Sequence, residues 1–253
     1  MLPRNYSYKY ERKPDRFVYV QSEKQSLDGS IIALRVARRY KPSPIFFHFR
    51  RRGGHLSALK LHLDSSYFAR FDIDYFFGRV TRTKVARCLR EIGFTRKAAF
   101  SMAYDSVVTE GVRKIVPYGF PQSTILSTLV LEKSLLGQVL IAANSSGTKV
   151  SVYVDDIIIS SDDKNELERT YDGIIAASIA SNFPFGVAKT TSASIKVEAF
   201  NCHISRGLCG FVDERMNRFV ETHADRTELG KEIVERYICE VSPSELLRFK
   251  TLL

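Results

Sequence analysis

Residues 149–160 read KVSVYVDDIIIS, two β-branched runs joined by Asp155 and Asp156. Short runs rich in Val and Ile favour strands, and two such runs around a short polar step favour a hairpin. We therefore predict a β-hairpin with the two aspartates at its tip. Adjacent carboxylates beside an apolar strand are costly to bury unless a cation compensates them. Two interpretations are open at this point, a cation-binding carboxylate site and a solvated turn.

A further aspartate, Asp72, favours the cation-binding interpretation. It ends another apolar run, residues 68–73, which predicts a buried strand. If that strand lies beside the hairpin, three carboxylates meet. Two Mg²⁺ ions held by such a cluster would stabilise the attacking and leaving oxygens of a phosphoryl transfer.

Composition limits the class of protein. The chain has 253 residues and a net charge of +10, which favours binding to polyanions such as nucleic acid. Its four cysteines form no C-x-x-C pair, so zinc is not indicated. It has no apolar run of 18 residues and no signal-peptide pattern at Met1, so we expect a cytoplasmic protein that does not bind membranes.

The remaining patterns mix strands with helices and predict an α+β fold. Thr81 and Thr95 are expected to cap two consecutive helices, the first of which ends at Gly93. The other expected elements are a helix at 26–39, strands at 45–49 and 55–61 around a turn at 50–54, a long helix at 123–143, a helix at 163–182, strands at 195–204 and 209–212, a helix at 229–240 and a short helix from residue 244.

Several motifs, in order, resemble those of reverse transcriptases. DIDYFF at residues 72–77 resembles their first palm motif, GFPQS at 119–123 their second, and YVDD at 153–156 their third. Lys189 and Thr190 resemble the fourth, and FNCHI at 200–204 stands where the primer-grip strands would be.

The resemblance implies a right-hand polymerase fold with fingers and palm, in which helices back an antiparallel palm sheet. It implies an N-terminal extension and fingers at 1–66 and a palm at 67–212, with fingers helices inserted at about 79–118. Residues 213–253 would form a short helical segment, a vestigial thumb.

By the same resemblance, Asp72, Asp155 and Asp156 form the catalytic metal site, with the Ile73 carbonyl as a further ligand of two Mg²⁺ ions. Mn²⁺ is a possible substitute. Asp156 is expected to lie further out than the other two aspartates. Lys189 would serve as a general acid for the departing pyrophosphate, and the alternative is a solvated surface lysine.

The nucleotide site implied by the resemblance includes Gly119, Pro121 and Gln122. Phe77 would lie beneath the sugar and favour deoxynucleotides, although Phe77 or Phe76 is expected to belong to the core. The cations expected to bind the triphosphate, or alternatively the RNA backbone, are Arg50, Arg51, Arg52 and Lys60.

The primer and template contacts implied by the resemblance are Tyr153, Ser123 and Asn201. Tyr153 has the alternative of a packed aromatic residue, and Ser123 that of a helix N-cap.

Two residues depart from the family pattern, because Ser123 replaces the usual glycine and Thr128 the usual proline. These departures and the compact length resemble bacterial reverse transcriptases of abortive infection and phage defence. The expected partners are dNTPs and nucleic acid, either an RNA template or a noncoding RNA, with DNA as product. A protein partner or a second copy is expected because the thumb is minimal. The alternatives are a template-independent or protein-templated polymerase and a catalytically silent RNA-binding scaffold.

Overall fold

The computed structural model describes residues 5–14 and 16–253. Its elements, in chain order, are β1 (Tyr8–Lys13), β2 (Arg16–Val20), α1 (Glu23–Ala37), a 3₁₀ helix (Phe47–Phe49), α2 (His55–Lys60), β3 (Tyr67–Asp72), α3 (Phe76–Arg79), α4 (Arg82–Glu91), α5 (Arg96–Asp105), β4 (Val108–Glu110), β5 (Arg113–Ile115), α6 (Ser123–Glu132), α7 (Leu135–Ser145), β6 (Lys149–Tyr153), β7 (Asp156–Ser161), α8 (Lys164–Ala180), a 3₁₀ helix (Val187–Lys189), β8 (Thr191–Ser194), β9 (Lys196–Ala199), β10 (Cys202–Ser205), β11 (Leu208–Phe211), α9 (Asp213–Glu221), α10 (Glu228–Val241) and α11 (Pro243–Leu252).

The chain forms two compact units, each assembled from three separate segments. The first unit consists of Met1–Ser43, Ile73–Ile141 and Ile174–Pro184. The second unit consists of Pro44–Asp72, Ala142–Gly173 and Phe185–Leu253. The predicted α+β class is confirmed, with helices and antiparallel sheets in both units. The division into fingers, palm and C-terminal segment stays a prediction.

In the first unit, two antiparallel hairpins, β1–β2 and β4–β5, accompany the helices. The two predicted helix caps are confirmed. The Thr81 hydroxyl accepts a hydrogen bond from the Lys84 amide, and the Thr95 hydroxyl accepts one from the Ala98 amide, at the starts of α4 and α5. Gly93 has a φ of 87° after the end of α4, a conformation that glycine adopts without strain.

In the second unit, an antiparallel sheet has the strand order β6-β7-β3-β8. Its strand β7 has neighbours on both sides, and Ile157, Ile158 and Ile159 are at most 1% exposed. Because both faces of this strand are covered, it has apolar residues in succession rather than in alternation. A second sheet has the order β11-β10-β9. The predicted hairpin at residues 149–160 is confirmed, as is the buried strand that ends at Asp72.

The strands predicted at residues 45–49 and 55–61 are wrong. The chain forms a 3₁₀ helix at Phe47–Phe49 and the helix α2. The sequence HLSALK of α2 has no β-branched residue, and its leucines and alanine are good helix formers. Ala58 and Leu59 are buried, which fixes one face of the helix in the core.

The single helix predicted at residues 123–143 is also wrong, because α6 and α7 meet at an angle of 72°. Ser134 makes the corner, since its hydroxyl donates to the Leu131 carbonyl and accepts from the Gly137 amide. A Cβ on Gly137 would lie 2.2 Å from the Leu131 carbonyl oxygen, so the corner requires glycine. Among the described residues, no single helix is long and apolar enough to span a membrane, and only this bent pair meets both criteria together.

Three helices, rather than the one or two expected, follow β11. α9 was not predicted, and its N-cap residue, Val212, makes no side-chain capping bond. All three helices contribute to an apolar cluster of the second unit. Met216 and Phe219 belong to α9, Ile238 to α10 and Phe249 to α11. Their role as a thumb stays a prediction.

Candidate active site

The tip of the β6–β7 hairpin, Tyr153 to Asp156, is a tight turn that we call the aspartate turn. Tyr153 pairs with Asp156, which leaves Val154 and Asp155 as the two loop residues. Val154 has a φ of 63°, a conformation that β-branched residues rarely adopt, so surrounding contacts must hold it. One such contact is a hydrogen bond of 3.1 Å from the Val154 amide to Nδ1 of His48. Burial lowers the pKa of His48 to about 4, which keeps the ring neutral and its nitrogen able to accept.

The second unit brings the three predicted carboxylates together. Asp72, at the end of β3, pairs in register with Asp156, at the start of β7. The pKa of Asp155 is raised to about 6, first by burial and then by the negative charges of Asp156 and Asp72. Burial also raises the pKa of Asp156, although Arg70 opposes that shift. The cluster therefore has an excess of negative charge that favours a bound cation.

Two cationic side chains contact this cluster. Arg70 donates to one oxygen of Asp156 from Nη2 at 2.6 Å and from Nε at 3.2 Å. Its third contact, at 2.7 Å, runs from Nη1 to the backbone carbonyl of Glu198 in β9. Lys189 donates from Nζ to both oxygens of Asp72, at 3.1 and 3.0 Å. Lys189 is thus a partner of Asp72 in this structure, and its general-acid role stays a prediction.

Aromatic rings surround Tyr153 at the base of the aspartate turn. The Tyr153 ring lies 5.4 Å from Phe200, 5.8 Å from His48 and 6.1 Å from His55, measured between centroids. Phe200 and Asn201 form the two-residue turn between β9 and β10, and both have positive φ, at 54° and 59°. Asn201 is exposed beside this aromatic cluster. Its primer contact stays a prediction, as does that of Tyr153.

A family model described as reverse transcriptase (RNA-dependent DNA polymerase) matches residues 30–222, more than half of the chain. The chain belongs to the reverse transcriptase family. The expectation drawn from its motifs is therefore confirmed at the level of the family. No curated protein matches the sequence.

Several solved structures of reverse transcriptases and telomerases are similar to this reverse transcriptase domain. A foamy viral protease–reverse transcriptase in complex with an RNA/DNA hybrid has 16% identity and a TM-score of 0.49, over 85% of this chain and 24% of that one. An apo telomerase from Candida tropicalis, truncated from its C-terminal domain, has 12% identity and a TM-score of 0.46, over 76% and 40%. A Candida albicans telomerase in complex with a fragment of telomeric RNA has 10% identity and a TM-score of 0.45, over 80% and 38%. The chain spans between a quarter and two fifths of the length of these proteins.

The carboxylates suit a divalent cation in chemistry, because Mg²⁺ prefers hard oxygen ligands. Among the described residues, however, no group of three or more histidine, cysteine, aspartate or glutamate side chains is arranged to hold a metal ion. Two cations already contact the cluster, because Lys189 donates to both oxygens of Asp72 and Arg70 donates to one oxygen of Asp156. They compensate part of the negative charge that a metal ion would otherwise neutralise.

The cations predicted to bind the triphosphate lie in the same unit as the carboxylates. Arg50, Arg51 and Arg52 are exposed in the turn before α2, and the Arg50 guanidinium lies 4.2 Å from the centroid of the Phe47 ring. Lys60 is exposed at the end of α2. Their contact with a nucleotide stays a prediction.

The residues of the second motif belong to the first unit. Gly119 has a φ of 112°, and a Cβ there would lie 2.6 Å from the Tyr19 carbonyl oxygen, so this position requires glycine. Pro121 is exposed, whereas Gln122 is 0% exposed. The Gln122 amide donates to the Ser106 hydroxyl at 3.3 Å. A nucleotide contact by Gln122 stays a prediction, and it would require this buried side chain to change its partners.

Ser123 is the first residue of α6, and Gln122 is the N-cap. The N-cap interpretation of Ser123 is therefore wrong, because its hydroxyl donates backwards to the Pro117 carbonyl at 2.6 Å. Its template contact stays a prediction for a side chain that is 2% exposed.

Phe76 and Phe77 differ in burial. Phe76 is 3% exposed and belongs to the core, whereas Phe77 is only partly buried. The Phe77 ring lies 5.7 Å from the ring of Tyr118, which is 46% exposed. Ile73 is buried, directly after Asp72 in the chain. Sugar selection by Phe77 and metal ligation by the Ile73 carbonyl stay predictions.

Arg70 and His48, which bond to residues of the aspartate turn, were not predicted from the sequence. A local signal existed for Arg70, because it lies two residues before Asp72 and strand side chains alternate, so both point to one face. His48 had no such signal, since only the fold brings it to Val154.

Proposed function

We propose that this domain catalyses RNA-directed DNA synthesis, by transfer of deoxynucleotides from dNTPs to a primer 3′-hydroxyl with release of pyrophosphate. The observation that carries the proposal is the meeting of Asp72, Asp155 and Asp156 in one unit of a chain that belongs to the reverse transcriptase family. Burial and mutual repulsion in this cluster favour a compensating cation over solvated side chains.

Asp72 and Asp155 would be the direct ligands of two Mg²⁺ ions, with Asp156 and the Ile73 carbonyl contributing. The bound ions, with Mn²⁺ as a substitute, would neutralise charge on the attacking and leaving oxygens. Arg70 keeps Asp156 in place by its two hydrogen bonds to that carboxylate. Lys189, once released from Asp72, is free to neutralise or protonate the departing pyrophosphate.

Nucleotide selection would fall to the exposed cations Arg50, Arg51, Arg52 and Lys60 and to Phe77. Guanidinium groups bind phosphate oxygens in a bidentate geometry. A partly exposed ring at residue 77 would clash with a 2′-hydroxyl and so favour dNTPs over rNTPs. Phe77→Ala should therefore raise incorporation of rNTPs relative to dNTPs.

The decisive experiment measures extension of a labelled DNA primer on an RNA template. Asp155→Asn should lower the rate by roughly 100-fold or more, because a neutral amide cannot compensate a dication that contributes several kcal/mol to the reaction. Asp172→Asn, which changes an exposed aspartate on α8, serves as the matched control and should leave the rate unchanged.

The same reaction separates the competing functions. Product formed from single dNTPs after nuclease treatment, without added RNA, would indicate a template-independent or protein-templated polymerase. Absence of product from any substrate, with intact binding of RNA, would indicate an RNA-binding scaffold.

We further propose a role in bacterial phage defence, supported by the departures from the family pattern at Ser123 and Thr128. Both residues are buried in α6. In this proposal a second copy, another protein or a structured RNA completes the grip on the duplex. Plating of phage on cells that carry the wild type or Asp155→Asn tests the role, and equal plaque counts would contradict it.

A further inference from the structure

A strongly basic groove lies on the first unit, apart from every residue of the candidate active site. It has a volume of about 540 Å³ and is lined by Arg87, Arg90, Glu91, Phe94 and Arg96, from α4, α5 and the loop between them. Among the residues that the structure describes, one ion pair involves these arginines, and it joins Arg87 to Glu91 at 3.9 Å, at the limit for such a contact. The lining therefore has a surplus of positive charge.

Two further arginines, from α1 and the residues that follow it, extend the basic region around Phe94. The Arg39 guanidinium lies 4.2 Å from the Phe94 ring centroid and also donates to the Gly93 carbonyl. The Arg35 guanidinium lies 5.8 Å from the same ring. Contact with a ring face holds a guanidinium by its plane and leaves its N–H edge directed outwards.

Three guanidinium groups thus line the groove against one carboxylate, and two more contact the Phe94 ring. Like charges held close together repel each other, and this repulsion is relieved when an anion binds between them. Arginine is well suited to phosphate, since its planar fork matches two phosphate oxygens. Phe94 is only 7% exposed, so the groove offers little ring surface on which a base could stack.

We propose that this arginine groove, lined by Arg87, Arg90 and Arg96 beside Phe94, binds the sugar-phosphate backbone of a nucleic acid. Several charges along one concave surface fit a chain of regularly spaced phosphates. Phe94 is the single apolar side chain of the lining, which disfavours a lipid tail or an amphipathic helix as the occupant. Binding is independent of base sequence, because the contacts are to phosphates. Such binding would be a property additional to DNA synthesis, and it does not require catalysis.

The test compares two triple variants that each remove three positive charges from exposed side chains. The groove variant is Arg87→Gln with Arg90→Gln and Arg96→Gln. The matched control is Lys24→Gln with Arg169→Gln and Arg236→Gln, all outside the groove. Binding of a fluorescent RNA is measured by anisotropy over a range of salt concentrations, in EDTA and in an Asp155→Asn background, so that polymerisation plays no part.

In the groove variant, the slope of log K against log salt should become shallower by about 2 to 3, since each phosphate contact contributes roughly 0.7 to 0.9. The control should keep the wild-type slope. Equal changes in both variants would overturn the proposal, because they would reflect net charge alone. An unchanged RNA slope, with loss of binding to anionic vesicles or polyglutamate, would overturn it in favour of another polyanion.

The outcome is separate from that of the proposed function. A polymerase that loses only RNA affinity in the groove variant should retain its rate on saturating primer–template. Conversely, failure of the wild type to make DNA leaves the binding measurement fully interpretable.

Discussion

Arg70 joins the aspartate turn to the second sheet of the same unit. Its guanidinium bonds the Asp156 carboxylate on one side and the Glu198 carbonyl of β9 on the other. Both charged side chains of this pair are mostly buried, at 17% and 18% exposed. Loss of one partner leaves the other charge uncompensated, which costs more than the pair itself contributes.

Arg70→Gln should lower the free energy of unfolding by about 2 kcal/mol, below the range for fully buried pairs because some water reaches this one. The double variant with Asp156→Asn should lose less than the sum of the single changes, since neither charge then stands alone. Urea unfolding of the four proteins gives this coupling.

The matched control for that prediction is Lys231→Gln, because its partner Glu228 is 87% exposed. An exposed pair contributes less than about 1 kcal/mol. Equal losses in Arg70→Gln and Lys231→Gln would contradict the role assigned to Arg70.

His62 is a buried histidine that makes two hydrogen bonds, to the hydroxyls of Ser160 and Ser151 at 2.7 and 2.8 Å. Burial, and then the charge of Lys149, lowers its pKa to about 3. The unfolded chain binds a proton near pH 6.5, so stability from neutral His62 is present above that pH and is lost as the pH falls.

Between pH 7 and pH 5, protonation of this histidine in the unfolded chain should reduce the free energy of unfolding by about 2 kcal/mol. The lower pH lies about 1.5 units below the unfolded pKa, and each unit contributes about 1.4 kcal/mol. His62→Gln cannot take up this proton, so its stability should fall by about 2 kcal/mol less over the same interval. Urea midpoints at both pH values measure the difference. Parallel losses in the two proteins would show that His62 titrates normally.

The turn between β9 and β10 depends on two consecutive residues with positive φ. Phe200 tolerates this conformation while its ring packs against Tyr153, and Asn201 is a residue type common in such turns. Asn201 thus has a role in the geometry of the turn and a predicted contact with the primer. Two substitutions can distinguish these roles.

Asn201→Gly should leave the free energy of unfolding within about 0.5 kcal/mol, because glycine adopts positive φ freely. Asn201→Val should lower it by about 1 to 2 kcal/mol, because a β-branched residue resists that conformation. Thermal unfolding measures both effects. A raised KM for primer in the stable glycine variant would indicate that the asparagine side chain itself contacts the primer, and an unchanged KM would remove it from the site.

The sequence predicted those helices and strands that depend on neighbouring residues in the chain. The caps at Thr81 and Thr95 and the β-branched runs of β6 and β7 were visible in the sequence, and the structure has them. The short apolar segment that forms α2 was assigned to a strand, because such a segment is ambiguous until its packing is known. The corner at Ser134 was missed because it depends on the close approach of Gly137 to the Leu131 carbonyl.

The carboxylates of the candidate site could be predicted from the strand patterns and from the family motifs. The resemblance assigned Asp72, Asp155 and Asp156, which the fold brings together. It did not supply His48, which meets the aspartate turn across more than a hundred residues of chain. The buried position of Gln122 was equally unpredictable, because it depends on packing against Gly29 of α1.

The three C-terminal helices form part of the core of the second unit. Phe249 of α11 is 0% exposed, in the same cluster as Phe68 of β3 and Ile158 of β7. These helices therefore support the strands that carry the aspartates, whatever contact they make with nucleic acid.

Phe249→Ala should lower the free energy of unfolding by about 3 to 5 kcal/mol, because it leaves a cavity in this cluster. Leu247→Ala, two residues earlier and 70% exposed, is the matched control and should cost less than about 0.5 kcal/mol. Chemical denaturation measures both. Similar small losses in the two variants would mean that α11 is not a structural part of the second unit.

The place of Phe249 in that cluster has a consequence for synthesis on the ribosome. β3 leaves the ribosome early, but α11, which contributes Phe249 to the same apolar cluster as Phe68, is translated long afterwards. Throughout elongation, Phe68 and its neighbours lack part of their final packing and can associate with other nascent chains or with chaperones. Without α11 the apolar cluster behind these strands is incomplete, so we expect a stalled nascent chain that ends before residue 243 to be less active than the released protein.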